Sequence, residues 1–299
     1  MLEATLWPRP PYSLADSAAG TAGGTRRMRG GLLELWDLVD GAPARIRLWQ
    51  RPDGAIEARV AGAEPERAHE RLRFLLALED DHAPFLRQAR RDRLLRDVAW
   101  RWPGIRPLRL ATPAHALVAA VCGQLVSGRE AARLHRAVLR LCAPETDGLR
   151  LPPTQSDLAA PPPARWRSAG LATGRASAMA RVARGPALDR LAARPTAQIV
   201  AAVTAQPGLG PWSAGVIAMR GFGRYDHGLV GDLGLMRLWA AVHGEWPDPR
   251  ETAALLTPYG EWAGLASVYL LRHPLARLGG RAATRPSALA AAMDDARRA

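Results

Sequence analysis

The chain has 299 residues, a length typical of about two domains, and 48% of them are hydrophobic, which is enough for proper cores and excludes a disordered chain. Its 41 basic and 28 acidic residues give a net charge of +13. That balance favours a polyanionic partner such as nucleic acid, with an inert basic surface as the alternative. The sequence contains no lysine and no asparagine, so every basic residue is arginine and no side-chain amine can form a Schiff base.

Short strands dominate the first sixty residues. Strand patterns cover residues 2–7, 32–39, 45–50 and 55–61, with a helix pattern at 12–19 and a loop rich in glycine and arginine at 20–31. Asp40-Gly41 and the Arg-Pro-Asp-Gly segment at 51–54 are typical turns between antiparallel strands. Apolar and charged residues alternate in the last strand, so we expect a sheet with one buried and one solvated face.

Helical periods dominate the rest of the chain. Apolar residues, most of them leucine, recur at the three- to four-residue spacing of a helix near residues 72–78 and 94–99. Pro103-Gly104 and Pro107 then break the pattern. We place a boundary there, between a sheet-containing domain at 1–105 and an all-helical domain at 106–299. Residues 114–141 form one long helix or two abutting helices. A loop at 144–163 has room for a short helix at 156–160, and helices are predicted at 168–183, 196–205, 211–222, 232–243, 250–256 and 262–271.

Cysteine usage and hydropathy exclude further classes of protein. Cys122 and Cys142 stand alone, without C-x-x-C spacing or a four-cysteine array, so we expect no zinc site, no iron–sulfur cluster and no other cofactor. No apolar run reaches about 18 residues, and the N-terminus lacks the pattern of a signal peptide. We therefore expect a cytoplasmic monomer without a membrane partner, associated with the nucleoid if the source is bacterial.

Two groups of arginines could form a basic surface. The first group recurs at intervals of four, three and four residues, which places it on one face of a helix: Arg129, Arg133, Arg136 and Arg140. The second group lies between residues 158 and 188, where no acidic residue occurs: Arg165, Arg167, Arg175, Arg181 and Arg184. Each group is either a solvated face or a surface that contacts phosphates.

A glycine-rich turn precedes the helix predicted at 211–222. Gly208 and Gly210 allow positive φ and close approach of another backbone, and Pro211 suits the first position of a helix. The N-terminus of such a helix is an anion site, and a DNA phosphate is one candidate occupant. A plain turn between two helices is the alternative interpretation.

Three more residues have both a structural and a functional interpretation. Leu125 lies inside an apolar pattern, and composition alone predicts a core leucine. Trp212, on the first turn of its helix, would usually belong to the core as well. Asp232 precedes an apolar helix pattern, where an N-cap and a catalytic carboxylate are both consistent with the residues.

These segments together resemble a known family. Residues 207–214 and 231–235 resemble the helix-hairpin-helix and the glycine/proline-rich loop with aspartate of the base-excision DNA glycosylases. Residues 123–127 resemble the matching segment of the DNA-3-methyladenine glycosylase II branch, and residues 4–12 resemble its beginning. The resemblance covers residues 2–273. It implies an α+β fold, with a small antiparallel sheet domain packed on two helical subdomains and an active site between the helical parts.

The resemblance also implies roles for individual residues. Asp232 becomes the catalytic carboxylate, and Leu125 becomes the wedge that fills the gap left by a flipped base. The best-known members have aromatic residues at the positions that align with Gly20, Val216, Leu233 and Leu271. None of these four residues is aromatic, which predicts a wide pocket. The implied base pocket contains Trp212, Gln124, Val216, Leu233 and Leu271. The implied contacts to the DNA backbone are Gly208, Leu209, Gly210, Ser213 and Arg175, with a monovalent cation held by neighbouring carbonyl groups.

The implied activity is the excision of alkylated bases, such as 3-methyladenine, from double-stranded DNA. In the bifunctional glycosylase-lyases a lysine occupies the second position after the last glycine of the hairpin, and here Trp212 occupies it. The resemblance therefore predicts a monofunctional enzyme that leaves an abasic site uncut. Two alternatives stay open: a non-catalytic protein that binds DNA or senses damage, and a glycosylase for oxidised or deaminated bases.

Overall fold

A computed structural model of the protein describes residues 2–19 and 24–277. The chain forms two compact units, and each unit is assembled from two stretches. The first contains Met1–Ala83 and Gly104–Arg224, and the second contains Pro84–Pro103 and Tyr225–Ala299. The boundary predicted near residue 105 divides the chain by its secondary structure, into a sheet-containing and an all-helical domain. The two units are defined by compactness instead, so the predicted boundary stays a prediction. Gly20 lies outside the described residues.

The first unit contains the predicted antiparallel sheet. The strands are β1 Leu2–Leu6, β2 Arg26–Arg29, β3 Leu32–Val39, β4 Ala42–Gln50, β5 Ile56–Ala61, β6 Glu145–Thr146 and β7 Leu149–Arg150. The first five form one sheet in the order β1-β5-β4-β3-β2, and every neighbouring pair is antiparallel. A separate pair, β6 and β7, lies in the segment predicted as a loop.

One face of the sheet is buried, as the alternation in β5 predicts. Ile56, Ala58 and Val60 are each at most 2% exposed. The predicted turn at Asp40-Gly41 is confirmed, with positive φ at both residues (50° and 81°), as a tight turn between antiparallel strands requires. The loop predicted at 20–31 is wrong where β2 forms, because β2 gains its hydrogen bonds from β3 although its sequence has no apolar alternation.

Helices make up most of the remaining chain. They are α1 Leu14–Ala18, α2 Pro65–Leu75, α3 Ala83–Ala89, α4 Arg96–Arg101, α5 Pro113–Gly123, α6 Gly128–Cys142, α7 Gln155–Ala159, α8 Pro163–Ser168, α9 Thr173–Ala183, α10 Thr196–Thr204, α11 Pro211–Phe222, α12 Leu233–His243 and α13 Ala263–Leu270. Short 3-10 helices occur at Leu188–Leu191, Pro249–Leu255, Thr257–Trp262 and Pro274–Arg277. The fold class predicted from the sequence, a small antiparallel sheet followed by helices, is confirmed. None of the described helices is both long and apolar enough to cross a membrane.

Two helix predictions need correction. The helix predicted at 168–183 begins only at Thr173 as α9, because Ser168 ends the preceding helix α8 and the chain turns at Gly170 with φ of 97°. The helix predicted to include Leu78 ends at Leu75, since Ala77 adopts a φ of 54° that a right-handed helix cannot continue. The long pattern at 114–141, which the sequence left open, is two helices, α5 and α6.

Helix α5 is the central helix of the first unit. Eight of its eleven residues are buried, and it packs against α6, α9 and α11. A buried carboxylate helps to fix the segment just before α5. Asp37 on β3 accepts two hydrogen bonds of 2.9 Å from Arg71 of α2, and Arg71 also donates to the carbonyl of Ala111 (2.8 Å). Helix α5 is therefore fixed both just before its start and by packing along its length.

Candidate functional site

The turn between α5 and α6 exposes a leucine. Leu125 is 72% exposed and has φ of 49°, so it is not the core residue that composition alone predicts. A left-handed conformation costs a non-glycine residue about 1–2 kcal/mol. The turn ends at Ser127, whose hydroxyl caps α6 by accepting a hydrogen bond from the backbone N–H of Glu130 (3.3 Å). This geometry presents an apolar side chain to solvent at a cost in stability.

The hairpin between α10 and α11 has two glycines with different requirements. Gly208 has φ of 88°, and a Cβ there would lie 3.2 Å from the Cβ of Ala178 on α9. Gly210 is the N-cap of α11 and supplies no side chain to it, and a Cβ at this position would meet no atom within 4 Å. Conformation and packing therefore require glycine at 208, whereas Gly210 leaves space in front of the helix N-terminus, where an anion is stabilised.

Side-chain hydrogen bonds join the exposed turn to the hairpin. The Nε2 atom of Gln124 donates to the carbonyl oxygen of Gly208 (2.7 Å) and to the hydroxyl of Ser213 (3.0 Å). Nη2 of Arg175, on α9, donates to the carbonyl oxygen of Gln124 (2.6 Å). Nη1 of Arg181, on the same helix, donates to the carbonyl oxygen of Pro207 (3.0 Å). Of the residues predicted from the sequence, these contacts bring together Gln124, Arg175, Gly208 and Ser213.

The indole of Trp212 packs directly on the end of α5. A Cβ on Gly123 would lie only 2.5 Å from Cη2 of Trp212, so the ring occupies the space that a larger residue at 123 would need. Trp212 is half-buried, whereas Val216, one turn further along α11, is only 6% exposed. Leu209 is also buried, so it could meet a DNA backbone only through its main-chain groups.

In the second unit, Asp232 caps the N-terminus of α12. Its Oδ1 accepts a hydrogen bond from the N–H of Gly234 (2.7 Å), and its own N–H donates to the carbonyl of Leu229 (3.0 Å). The side chain is half-buried. The structure therefore confirms the N-cap interpretation, and the catalytic interpretation stays a prediction.

Two buried hydroxyl groups anchor the loop before Asp232. The N–H of Leu229 donates to the hydroxyl of Ser267 (2.9 Å), and the N–H of Gly231 donates to the hydroxyl of Thr252 (2.8 Å). Both hydroxyl residues are fully buried. Sequence reasoning missed them, because no motif distinguishes a serine or threonine that holds a distant loop.

Two apolar side chains lie in the same part of the second unit. Leu233 begins α12, and Leu271 packs against its first turn, where a Cβ on Gly234 would lie 2.4 Å from Cδ2 of Leu271. Both leucines are half-buried. They are the apolar residues that the sequence predicts for this part of the base pocket, and their role stays a prediction.

The two arginine groups lie at the surface of the first unit. All four arginines of the first group are on α6 and exposed, which confirms the predicted face. Arg133 pairs with Glu130 on the same helix (2.6 Å). In the second group four side chains are exposed and Arg175 is half-buried. Contact with phosphates stays a prediction for both groups.

The remaining nucleophile candidates are the two thiols. Burial raises the pKa of Cys122 to about 12 and that of Cys142 to about 12, so neither is a thiolate at neutral pH. In the described part of the chain, no group of three or more His, Cys, Asp or Glu side chains is placed to hold a metal ion. The catalytic role of Asp232 stays a prediction.

No protein-family model and no curated protein sequence matches the chain. Solved structures do. A 3-methyladenine DNA glycosylase from Archaeoglobus fulgidus superposes with a TM-score of 0.75 at 19% identity, covering 90% of this chain and 97% of the other. The apo 8-oxoguanine glycosylase/lyase of Clostridium acetobutylicum gives 0.71 at 15% identity, covering 91% and 96%.

A third structure matches less of the chain. The 3-methyladenine DNA glycosylase of Schizosaccharomyces pombe, in complex with abasic DNA, gives a TM-score of 0.50 at 16% identity and covers 60% of this chain and 90% of the other. At such identities a structural match establishes architecture, and function needs separate evidence from the site. The chain therefore has the fold of the helix-hairpin-helix DNA glycosylases.

Proposed function

We propose that the protein is a monofunctional DNA glycosylase that hydrolyses the N-glycosidic bond of alkylated bases in duplex DNA. The observation that carries the proposal is Leu125, an exposed leucine held in a left-handed conformation beside the hairpin. A damaged base must leave the helix stack to be reached, and an apolar side chain inserted between base steps fills the gap. This function accounts for the stability cost of the turn.

Charge and the hairpin support DNA as the partner. Residues 104–224 contain sixteen arginines and five acidic residues, a net charge of +11. The N-terminus of α11 opens beside Gly210, where a phosphate oxygen can approach the backbone. Duplex DNA presents the dense negative charge that such a surface attracts.

Asp232 supplies the chemistry in this proposal. Cleavage of the N-glycosidic bond develops positive charge on the deoxyribose, which a carboxylate stabilises while it orients the attacking water. An alkylated purine such as 3-methyladenine already carries positive charge, so it leaves without being protonated by the protein. One carboxylate is therefore sufficient.

Trp212 adds a small preference for alkylated bases, whereas the selectivity of the proposed enzyme rests mostly on the weak glycosidic bond of the damaged base. Stacking of a cationic base on an indole contributes about 0.5–2 kcal/mol, which favours a charged base over a normal one. Val216, Leu233 and Leu271, which the resemblance implies for the base pocket, are apolar but not aromatic, so we expect a range of alkylated bases to be accepted. A strong preference for one lesion across a panel of damaged duplexes would contradict this breadth.

The absence of lysine supports hydrolysis without strand cleavage. A lyase of this kind forms a Schiff base between a side-chain amine and the sugar, and the sequence contains no lysine to provide it. Borohydride should therefore trap no covalent adduct between protein and DNA. A trapped adduct would instead support a bifunctional enzyme for oxidised bases.

We further propose that the protein acts as a monomer and that the hairpin holds a monovalent cation. The carbonyl groups of Pro207 and Gly208 already accept hydrogen bonds from Arg181 and Gln124, so other carbonyl groups of the turn would hold the ion. Duplex affinity should then be higher in potassium chloride than in choline chloride at equal ionic strength. Equal affinities would contradict the cation site, and sedimentation would test the monomer.

The deciding experiment is chromatography of the bases released from methylated DNA. We expect 3-methyladenine and related bases from the wild-type protein and strongly reduced release from Asp232→Asn. Unchanged release from the variant would show that Asp232 is not the catalytic group. If the wild type releases no base from methylated, oxidised or deaminated duplexes but binds them, the protein is a damage-binding protein instead.

A further inference from the structure

The turn that carries Leu125 is fixed by side chains of two other segments. Arg175 donates to the main-chain carbonyl of Gln124, and the side-chain amide of Gln124 donates to Gly208 and Ser213. A glutamine amide has two N–H donors, and both are engaged at 2.7 and 3.0 Å. The residue before Leu125 is thus held both at its backbone and at its side chain.

Helix α9 holds the hairpin as well as this turn. Arg175, Ala178 and Arg181 follow one another at intervals of three, so they share a face of the helix. Ala178 packs against Gly208, and Arg181 donates to the carbonyl of Pro207 (3.0 Å). Hydrogen bonds from a guanidinium are stronger than those between neutral groups. One face of α9 therefore restrains both elements that the proposed function brings to DNA.

We propose that Gln124 and Arg175 are positioning residues that lock the Leu125 turn to the hairpin, so that the hairpin's grip on the DNA backbone and the insertion of Leu125 act as one unit. The inference rests on the proposed function. It differs from the base-pocket role predicted for Gln124 and the phosphate contact predicted for Arg175, because here their donors serve the protein's own turn.

The consequence of this lock is pre-organisation of the wedge. A turn that already has the geometry of the bound state loses little freedom when Leu125 enters the stack. A turn released from the hairpin must instead be ordered during insertion. The loss of affinity should appear with stacked duplex and much less with single strands, which present no stack to open.

The test uses duplexes with 2-aminopurine beside an abasic-site analogue, since the fluorescence of 2-aminopurine rises when the stack opens. Gln124→Glu keeps the shape of the side chain but removes both N–H donors. We expect duplex affinity to fall about tenfold relative to single-strand affinity, which corresponds to about 1.4 kcal/mol, together with a weaker fluorescence rise. Gln198→Glu, an exposed change of equal charge on α10, is the matched control.

A double-mutant cycle with Leu125→Ala decides whether Gln124 acts through the wedge. If it does, Gln124→Glu causes little further loss of affinity when Leu125 is already alanine. Equal losses in both backgrounds, or an unchanged ratio of duplex to single-strand affinity, would overturn the inference. Should Gln124→Glu lower the melting temperature markedly, Arg175→Gln is carried through the same cycle.

These measurements separate the lock from the proposed function. They report binding and unstacking, so they need no release of a base. A wild-type protein that excises alkylated bases but shows additive losses in the cycle would keep the function and lose the lock. A protein that releases no base but shows a non-additive cycle would keep the lock and lose the function.

Discussion

The two parts of the chain that carry the candidate site residues differ in charge and in how their loops are held. Residues 104–224 contain sixteen arginines and five acidic residues, whereas residues 225–277 contain four arginines and six acidic residues. In the first part, guanidinium groups of Arg175 and Arg181 hold the exposed turn and the hairpin. In the second, neutral hydroxyl groups of Ser267 and Thr252 hold the loop of Asp232.

This difference suggests that DNA affinity and bond cleavage depend on different parts of the chain. Under the proposed function, the basic part places Leu125 and the N-terminus of α11 against the DNA. The other part offers a carboxylate whose loop is fixed by main-chain N–H groups donating to buried hydroxyl groups. Substitutions in the first part should therefore change the binding of DNA or of the flipped base, whereas substitutions in the second part should change the rate of base release at nearly constant DNA affinity.

The largest effect is expected at Asp232. Asp232→Asn should reduce base release by about 100- to 1000-fold, the range found when one group that stabilises transition-state charge is removed. Asparagine caps a helix as well as aspartate does, so stability and duplex affinity should stay close to those of the wild type. Single-turnover release and thermal unfolding measure the two properties. A parallel decrease in affinity would break the proposed separation.

A smaller effect is expected from Gly123→Ala, in the basic part. The added Cβ would lie 2.5 Å from Cη2 of Trp212, so the rigid indole must move. A displacement of about 1 Å at a binding surface can reduce the rate by up to about a hundredfold, and we expect a decrease on the order of tenfold in base release. Gly128→Ala is the matched control, because a Cβ there meets no atom within 4 Å.

If both alanine variants release bases at the wild-type rate, Trp212 does not hold the base. Because the chain has ten tryptophans, the fluorescence change caused by Gly123→Ala is assigned to Trp212 only if it disappears in a Trp212→Phe background, and thermal unfolding shows whether the fold is kept. A shift in fluorescence with unchanged release would be the clearest evidence against a stacking role.

The sequence predicted the elements whose signals are local. The bounds of α11 agree with the prediction at 211–222, because Pro211 starts the helix and Gly223, with φ of 69°, ends it. The alternation in β5 likewise predicted the buried face of the sheet. Such signals depend on a few neighbouring residues and need no knowledge of the rest of the chain.

Elements that depend on distant partners were not predictable in the same way. Strand β2 is rich in arginine and gains its structure from pairing with β3. Ser267 and Thr252 matter only because folding brings them beneath a loop more than 20 residues away in sequence, or nearly 40 in the case of Ser267. Leu125 resembles a core residue in sequence, and only its backbone conformation places it at the surface.

The third prediction concerns the basic surface. Replacing exposed Arg165 and Arg167 by glutamine should weaken duplex binding severalfold and lower the slope of log affinity against log salt by about 0.9 for each phosphate that the variant no longer neutralises. Arg250→Gln with Arg277→Gln, exposed residues of the second unit, changes the charge equally and should leave the slope nearly unchanged. Equal effects of the two pairs would show that DNA does not bind preferentially to the more basic part of the chain, residues 104–224.

The last prediction concerns stability in mild acid instead of DNA binding or base release, and the effect should be concentrated in the first unit. Burial, followed by the nearby positive charge of Arg106, lowers the pKa of His82 to about 4, and burial lowers the pKa of His135 to about 3. Between pH 6.5 and these values the unfolded chain binds protons that the folded chain does not. The free energy of unfolding should therefore fall as the pH decreases below 6.5 towards these values, and it should show no such dependence above pH 6.5.

His82→Gln isolates one part of this dependence. His82 is 2% exposed, so its removal also costs packing energy, but that cost is the same at every pH, whereas the proton-linked decrease in stability is not. Denaturant unfolding between pH 7 and pH 5 should therefore give a shallower slope for the variant than for the wild type, whatever its absolute stability. Equal slopes would mean that His82 is protonated in the folded protein at these pH values, so that its burial does not keep the imidazole neutral.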